Sequence, residues 1–356
     1  MRCIGRLGLM VGCLVMLAVV SEAQTAGGGR MVIENVDHYR VMEPCCEGVR
    51  VVLKALGDEY TPAYLQGISG AAFRIAGICP CAPTSSSGGP WPTALLKRLG
   101  YEYTEQHLAD DAKDPKLGPN TLAMIAKVKD SIRAGRPVLV WHAFTSAEWD
   151  VVAGYDDVEG VFLGRGSYAG LEGYAKAKQD RAREAVNICP AFGAIFVGER
   201  TGKFDAHAAE IAAVKEAVRH AHDQLNVDKL GGGKWVMLEG LRAYDRWAEK
   251  FKDPGAQREL GDAYCFGIYR STHRAAGQFL RQIAPHFPEA DEVLVRAARE
   301  FNAEAVTLDK AEALVGWDSP AQDAARNEKL WPILSKARDH YAAGIALLEQ
   351  ALPLMK

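Results

Sequence analysis

Two adjacent thiols, Cys45 and Cys46, stand in the stretch Glu43-Pro44-Cys45-Cys46-Glu47-Gly48-Val49-Arg50-Val51-Val52-Leu53-Lys54-Ala55-Leu56-Gly57. The chemistry such a pair offers is nucleophilic attack by a thiolate. Pro44 suits the first position of a helix, because it lacks the N–H that would have no partner there. Val49, Val52, Leu53 and Leu56 recur at helical spacing, and Gly57 ends the run. A helix N-terminus carries partial positive charge and unpaired N–H groups, both of which favour thiolate over thiol. Cys46 is the preferred nucleophile, lying nearer the first turn when Pro44 begins the helix, and Cys45 is the alternative. Against both stands the ordinary use of cysteine as a small core residue or disulfide partner.

The chain has 356 residues and eight cysteines. Arg2 and Arg6, an apolar run from Leu7 to Val20 and the small residues ending at Ala23 read as an export signal, with cleavage expected after Ala23. The expected location is periplasmic or secreted. The apolar run is too short for a comfortable membrane span, and no other segment is long enough. Cys3 and Cys13 leave with the signal, so Cys45, Cys46, Cys79, Cys81, Cys189 and Cys265 remain in a compartment where disulfides persist. Structural disulfides are therefore one expectation. Cys79-Pro80-Cys81 is too tight for zinc-ligand spacing and has no paired motif, so neither a metal nor a cofactor is expected. A net charge of -3, with both signs interspersed, argues against a nucleic-acid partner or an anionic membrane surface.

The elements that must position the thiols follow from periodicity. Residues 24–31 form a Gly-rich linker, and Val32 to Val36 reads as a short strand. Thr61-Pro62 is a good helix cap, and its helix runs into Gly67-Ile68-Ser69-Gly70-Ala71-Ala72, small residues that permit close backbone approach. Residues 91–99 and 119–134 give two further helices, the second with Leu122, Ile125, Val128 and Ile132 on its apolar face. Then the period changes. Val138 to Trp141, Glu148 to Tyr155 and Val161 to Leu163 read as antiparallel strands, and Ala191 to Val197 as a fourth after a polar helical excursion over 168–183. Past Gly198 strands are expected to stop, leaving about five helices within 205–352. Gly231-Gly232-Gly233-Lys234 lacks phosphate-loop spacing and a preceding strand, and reads as a connector. The fold class is α+β, with domains at 32–200 and 201–356.

The cysteine helix ending Leu56-Gly57, together with Trp149-Asp150-Val151-Val152-Ala153-Gly154-Tyr155-Asp156-Asp157, resembles the papain-like fold. The likeness is greatest to the bacteriocin-processing peptidase branch and the butirosin biosynthesis protein H family, acyltransferases with an N-terminal domain of this kind and a helical C-terminal domain. It covers roughly residues 32–198. In that family the base histidine sits six residues before the strand glycine, where this chain has Glu148. The family's third catalytic residue, Asp or Asn, follows on the next strand, where this chain reads Val161-Phe162-Leu163-Gly164-Arg165-Gly166-Ser167. A carboxylate beside a thiol raises its pKa and weakens it as a nucleophile. His142, at the end of the preceding strand, is the available substitute, giving a rearranged Cys46–His142–Glu148 set; a packed or solvated hairpin histidine is the plainer account. His38 is a second, weaker candidate.

Three function classes follow. The first is a cysteine-dependent acyltransferase or amidohydrolase, forming a thioester on Cys46 with a helix N–H in its oxyanion hole. The second is a catalytically inactive descendant that binds a peptide, glycan or small metabolite, with Trp141, Trp149, Arg165 and Glu148 lining the surface. The third gives the helical region the main role, its stretch Ser271 to Gly277 offering a small-residue face, although core packing explains that stretch as well. The expected partner is accordingly a peptide, an acyl donor or a small molecule.

Overall fold

The computed structural model describes residues 29–40, 43–79, 91–108, 111–114, 116–225 and 236–356. The expected export signal, Cys3, Cys13, Cys81 and the Gly231-Gly232-Gly233-Lys234 connector lie outside the described residues. The chain begins with β1 (Arg30–Val32) and an irregular lead-in to α1 (Pro44–Ala55) and α2 (Pro62–Ile68). A 3-10 turn (Ala71–Phe73), β2 (Ala76–Cys79), α3 (Pro92–Leu99), β3 (Tyr101–Gln106) and α4 (Pro119–Arg133) follow. Next come β4 (Val138–Trp141), β5 (Trp149–Asp156), β6 (Val161–Arg165), β7 (Ala175–Lys178), a 3-10 helix (Arg181–Asn187) and β8 (Ala194–Arg200). The last part holds α5 (Ala206–His222), β9 (Gln224–Leu225), β10 (Val236–Glu239), α6 (Gly240–Lys250) and α7 (Leu260–Ile283). It closes with α8 (Asp291–Asp309), α9 (Glu312–Val315) and α10 (Ala324–Ala351).

The main sheet runs β3-β8-β4-β5-β6-β7, with β1 paired to β5, and every pairing is antiparallel. The protein is thus α+β. Strand side chains alternate between two faces. Leu139, Val151, Ala153, Ile195 and Val197 pack with α1, α2 and α3, whereas Val138, Val140, Val152 and Ala194 pack with α4 and the 3-10 helix. α1 therefore lies on one face of the sheet, with its Gly48 against the Trp149 carbonyl and the Leu139 side chain. The cap expected at Thr61 accepts the Tyr64 N–H, and Asp205 likewise caps α5 by accepting the Ala208 N–H.

Several expectations are corrected. The first strand ends at Val32 rather than starting there. The excursion over 168–183 is not helical, because Ala175–Lys178 pairs with β6 as an edge strand and only then does the chain turn into the 3-10 helix. Strands do not stop at Gly198: β10 pairs with both β9 and β2, making a second, three-stranded sheet. The helix expected from Lys234 starts at Gly240, the expected 290–314 helix breaks after Asp309, and the last helix begins at Ala324. Leu122, assigned to the apolar face of α4, is exposed, and Met124 takes its place in the core with Val128 and Ile132.

Candidate functional site

The thiols sit where Pro44 starts α1, but the helix end is already occupied. Glu43 caps it, its Oε2 accepting the Cys46 N–H at 2.8 Å. Cys46 is fully buried and donates to Ser69 Oγ at 3.1 Å, and Ser69 in turn donates to the Gln66 carbonyl at 2.9 Å. The thiol proton is held in a neutral relay that ends on backbone. Burial pushes the Cys46 thiol up, and the Glu43 carboxylate adds to that rise, outweighing the hydrogen bonds with Cys45 and Ser69 that pull it down. Cys45 is pushed higher still by burial, its hydrogen bond to Cys46 and the charge of Glu43. The expectation that the helix end favours thiolate is therefore corrected: desolvation and a buried carboxylate outweigh the helix dipole. Cys45, Cys46, Cys189 and Cys265 are all thiols, so the expected structural disulfides do not form among these four.

His142 lies at the β4–β5 hairpin in a left-handed conformation (φ 61°). Its N–H donates to the Glu148 carbonyl at 2.8 Å, and its Nδ1 accepts the Ala147 N–H at 3.0 Å. Burial lowers its pKa, and the nearby Arg181 charge lowers it further, against the opposing pull of Glu184. Arg181 and Glu184 belong to the 3-10 helix, which packs on the sheet face opposite α1. The structure brings His142 onto neither thiol, and its ring makes no hydrogen bond to the Glu148 carboxylate. His38 is exposed on the lead-in.

Glu148 does meet the cysteine helix, through a cavity. A space of about 520 Å³ opens between the start of α1, the β4–β5 hairpin, the turn after β6 and the first half of α7. Pro44, Glu148, Ser167, Tyr168, Tyr264 and Trp317 line it, and Leu260, Gly267 and Ile268 complete its α7 wall. Glu148 is buried, with Oε1 accepting the Tyr264 hydroxyl at 2.5 Å and Oε2 accepting the Ser167 hydroxyl. Burial raises its carboxyl, although the Ser167, Tyr264 and Thr145 hydroxyls pull the other way. Asp150, two residues on, accepts the Thr145 N–H at 2.9 Å, the Phe144 N–H at 2.6 Å and the Thr145 hydroxyl at 2.5 Å. Its carboxyl is nonetheless pushed up to about 7 by burial.

The remaining sequence candidates serve packing. Trp149 is buried, and the half-buried Trp141 lies 5.4 Å from it and 5.1 Å from Phe192, ring centre to ring centre. The Trp141 indole N–H donates to Cys189 Sγ at 3.4 Å. Arg165 donates to the Val36 carbonyl at 3.1 Å and the Gly173 carbonyl at 2.7 Å, with its guanidinium 4.2 Å from the Tyr174 ring centre. None of these three lines the cavity. Sequence reasoning missed Tyr168, Tyr264 and Trp317. Ser167 closed the stretch where a third catalytic residue was sought, which was its one available signal. Tyr264 and Trp317 come from the helical half and carry no local pattern that ties them to Glu148.

Among the described residues, no helix is long and apolar enough to cross a membrane, and no group of three or more His, Cys, Asp or Glu side chains could hold a metal ion. These elements define an α+β protein in which a thiol-headed helix, a hairpin carboxylate and a later helix enclose one cavity. No family model matches the chain, and no curated protein matches it.

Proposed function

We propose that the chain is an exported protein of papain-like fold, with a helical region behind it, that binds a small and largely apolar ligand in this cavity without covalent chemistry. One observation carries the reading. Glu148, at the position where the resemblance expects the base histidine, and Ser167, from the stretch where it expects the third residue, line one cavity with Pro44 at the head of the cysteine helix. Ser167 donates its hydroxyl to the Glu148 carboxylate, where a triad would have an imidazole donating to its third residue. In this reading the cleft of the fold is kept while its acid–base chemistry is lost. A thiol needs an adjacent base, or a lowered pKa, to act as a nucleophile. Cys46 has a neutral hydroxyl partner and a raised pKa instead. A cavity of this size, walled by aromatic and aliphatic side chains with few polar groups, suits a small molecule.

The test uses the neutral dye Nile red. Its emission should shift to the blue with the intact protein, lose the shift in Gly267→Phe, whose ring would fill the cavity, and keep it in Cys46→Ser. Peptide mapping after alkylation should find Cys46 modified only in unfolded protein. Rapid modification of native Cys46, with an acyl adduct forming there from an acyl thioester, would restore the acyltransferase reading.

A further inference from the structure

Glu148 differs from the other buried carboxylates of the described residues. Most of these have a cation or an imidazole: Glu47 has Arg50 at 3.0 Å, Asp262 has Lys250 at 2.5 Å and Glu304 has His273 at 2.6 Å. Glu210, Glu239 and Asp156 are paired in the same way. Glu43, Asp111 and Asp150 instead accept backbone N–H groups. Glu148 has neither, and its partners are neutral hydroxyls alone. It is also the acid that forms part of the cavity wall, 4% exposed.

A buried carboxylate is costly to keep charged without a cation. The protein supplies none here, and the side chains opposite Glu148 are of the kind that favours one from outside. Tyr264, Tyr168 and Trp317 are all in the wall, with the Tyr264 and Trp317 rings in edge contact at 6.5 Å. The negative faces of aromatic rings attract cations, and quaternary ammonium groups are the ligands that aromatic enclosures characteristically take. Tyr168 and Trp317 are more than half exposed, so they stand at the mouth, whereas Glu148 is deep. An anion would meet Glu148 and the nearby Glu43, whose own carboxyl is raised in part by the Glu148 charge. A neutral ligand would leave the carboxylate unpaired and drier than before.

We propose that the ligand of this cavity is an organic ammonium ion with an apolar body, its charge set against Glu148 and enclosed by Tyr168, Tyr264 and Trp317. The assignment rests on the cavity being a binding site, as proposed above, and narrows it to a charge class. Apolar groups of the ligand would lie along Leu260 and Ile268.

Hexyltrimethylammonium, 1-hexanol and hexanoate, each titrated into the full chain carrying Nile red, separate the two ideas. The ammonium should displace dye about tenfold or more tightly than the alcohol, a difference on the order of one buried cation–aromatic and ion-pair contact. Hexanoate should be weakest. Glu148→Gln keeps the size of the side chain, with its oxygen accepting one neighbouring hydroxyl and its amide donating to the other, and should remove the preference for the cation while changing the alcohol much less. Trp317→Ala, at an exposed position where folding is not at risk, should weaken the ammonium by about three- to thirtyfold and the alcohol much less. Equal or tighter binding of alcohol or hexanoate by the native protein would overturn the charge assignment while leaving the cavity a binding site. Failure of the dye and of all three probes to bind would overturn the cavity itself. A cation preference that survives in both variants would place the site elsewhere.

Discussion

A cysteine at a helix start gains reactivity only if the helix end is free to stabilise its thiolate. In this protein the Glu43 side chain has taken that role, accepting the Cys46 N–H, and the thiol is left a buried donor to Ser69. The same burial governs the neighbouring acids. Glu43 and Asp150 are each pushed up to about 7, chiefly by desolvation, from ordinary values of 4.5 and 3.8. A folded-state pKa above the unfolded one means that the folded chain holds its proton more tightly. Stability is then greatest below the unfolded value and falls as pH rises towards the folded one. Between about pH 4 and pH 7 each group should therefore cost stability on the order of 3 kcal/mol. The protein should unfold at higher urea at pH 5 than at pH 8. Asp150→Asn, which can still accept the Phe144 and Thr145 amides and donate to the Thr145 hydroxyl, should flatten that slope. Identical urea midpoints at the two pH values would show that these carboxyls stay ionised throughout.

The contact between α2 and α7 shows how a single hydrogen atom can set the spacing of two helices. A Cβ at Gly67 would lie 2.1 Å from the nearest atom of the Phe279 ring, so α2 can approach α7 only where it has no side chain. Gly67→Ala should destabilise the protein by roughly 2–3 kcal/mol through overpacking. Trimming the partner in Gly67→Ala/Phe279→Leu should return part of that loss, so the two changes combine to less than their sum. Strict additivity in a denaturant double-mutant cycle would mean that the ring simply swings aside. The closeness was legible in the run Gly67 to Ala72, and so were the helix start at Pro44 and the cap at Thr61, because small residues and caps act locally. The hairpin was legible too, since the apolar run of β4 and the Trp149-to-Tyr155 stretch of β5 suit strands packed on both faces. Other elements were not. β2 and β10 are short strands whose pairing spans more than a hundred residues, β9 has only two residues, and β7 is a four-residue edge strand whose alternation rests on small alanines that bury little apolar surface. Glu148 was picked out by its place in a motif, but the tyrosine that meets it lies 116 residues away on α7.

A boundary at residue 200 coincides with the end of β8, yet the core does not respect it: one apolar cluster runs from Val36 to Met355. The segment Phe73–Ala76 explains why. Its backbone is buried and is satisfied largely by side chains from beyond residue 200. Tyr341 donates to the Phe73 carbonyl at 2.9 Å, and His273 Nε2 lies 3.0 Å from the Arg74 carbonyl. The Ile75 N–H donates to His220 Nε2 at 3.0 Å, and the Ala76 N–H donates to the Tyr269 hydroxyl at 3.0 Å. Each such group left unpaired in a dry interior costs about 1–3 kcal/mol, so losing the four together would remove much of a typical domain's stability. The stretch Ser271 to Gly277, a possible interaction face in the sequence, is spent on this junction and on α8, where Gly277 lies against the Ala298 carbonyl. The cavity likewise takes Glu148 from one side of the boundary and Tyr264 and Trp317 from the other. The intact chain should therefore unfold in one transition, with near- and far-ultraviolet circular dichroism coinciding, and neither 29–200 nor 201–356 should fold cooperatively alone. Tyr341→Phe, which removes one hydroxyl and leaves the Phe73 carbonyl bare, should lower stability by about 1–2 kcal/mol without splitting the transition. A sharp, independent unfolding transition from 201–356 by itself would show that the junction joins two self-sufficient domains, and the cavity would then be an interface between them rather than part of one core.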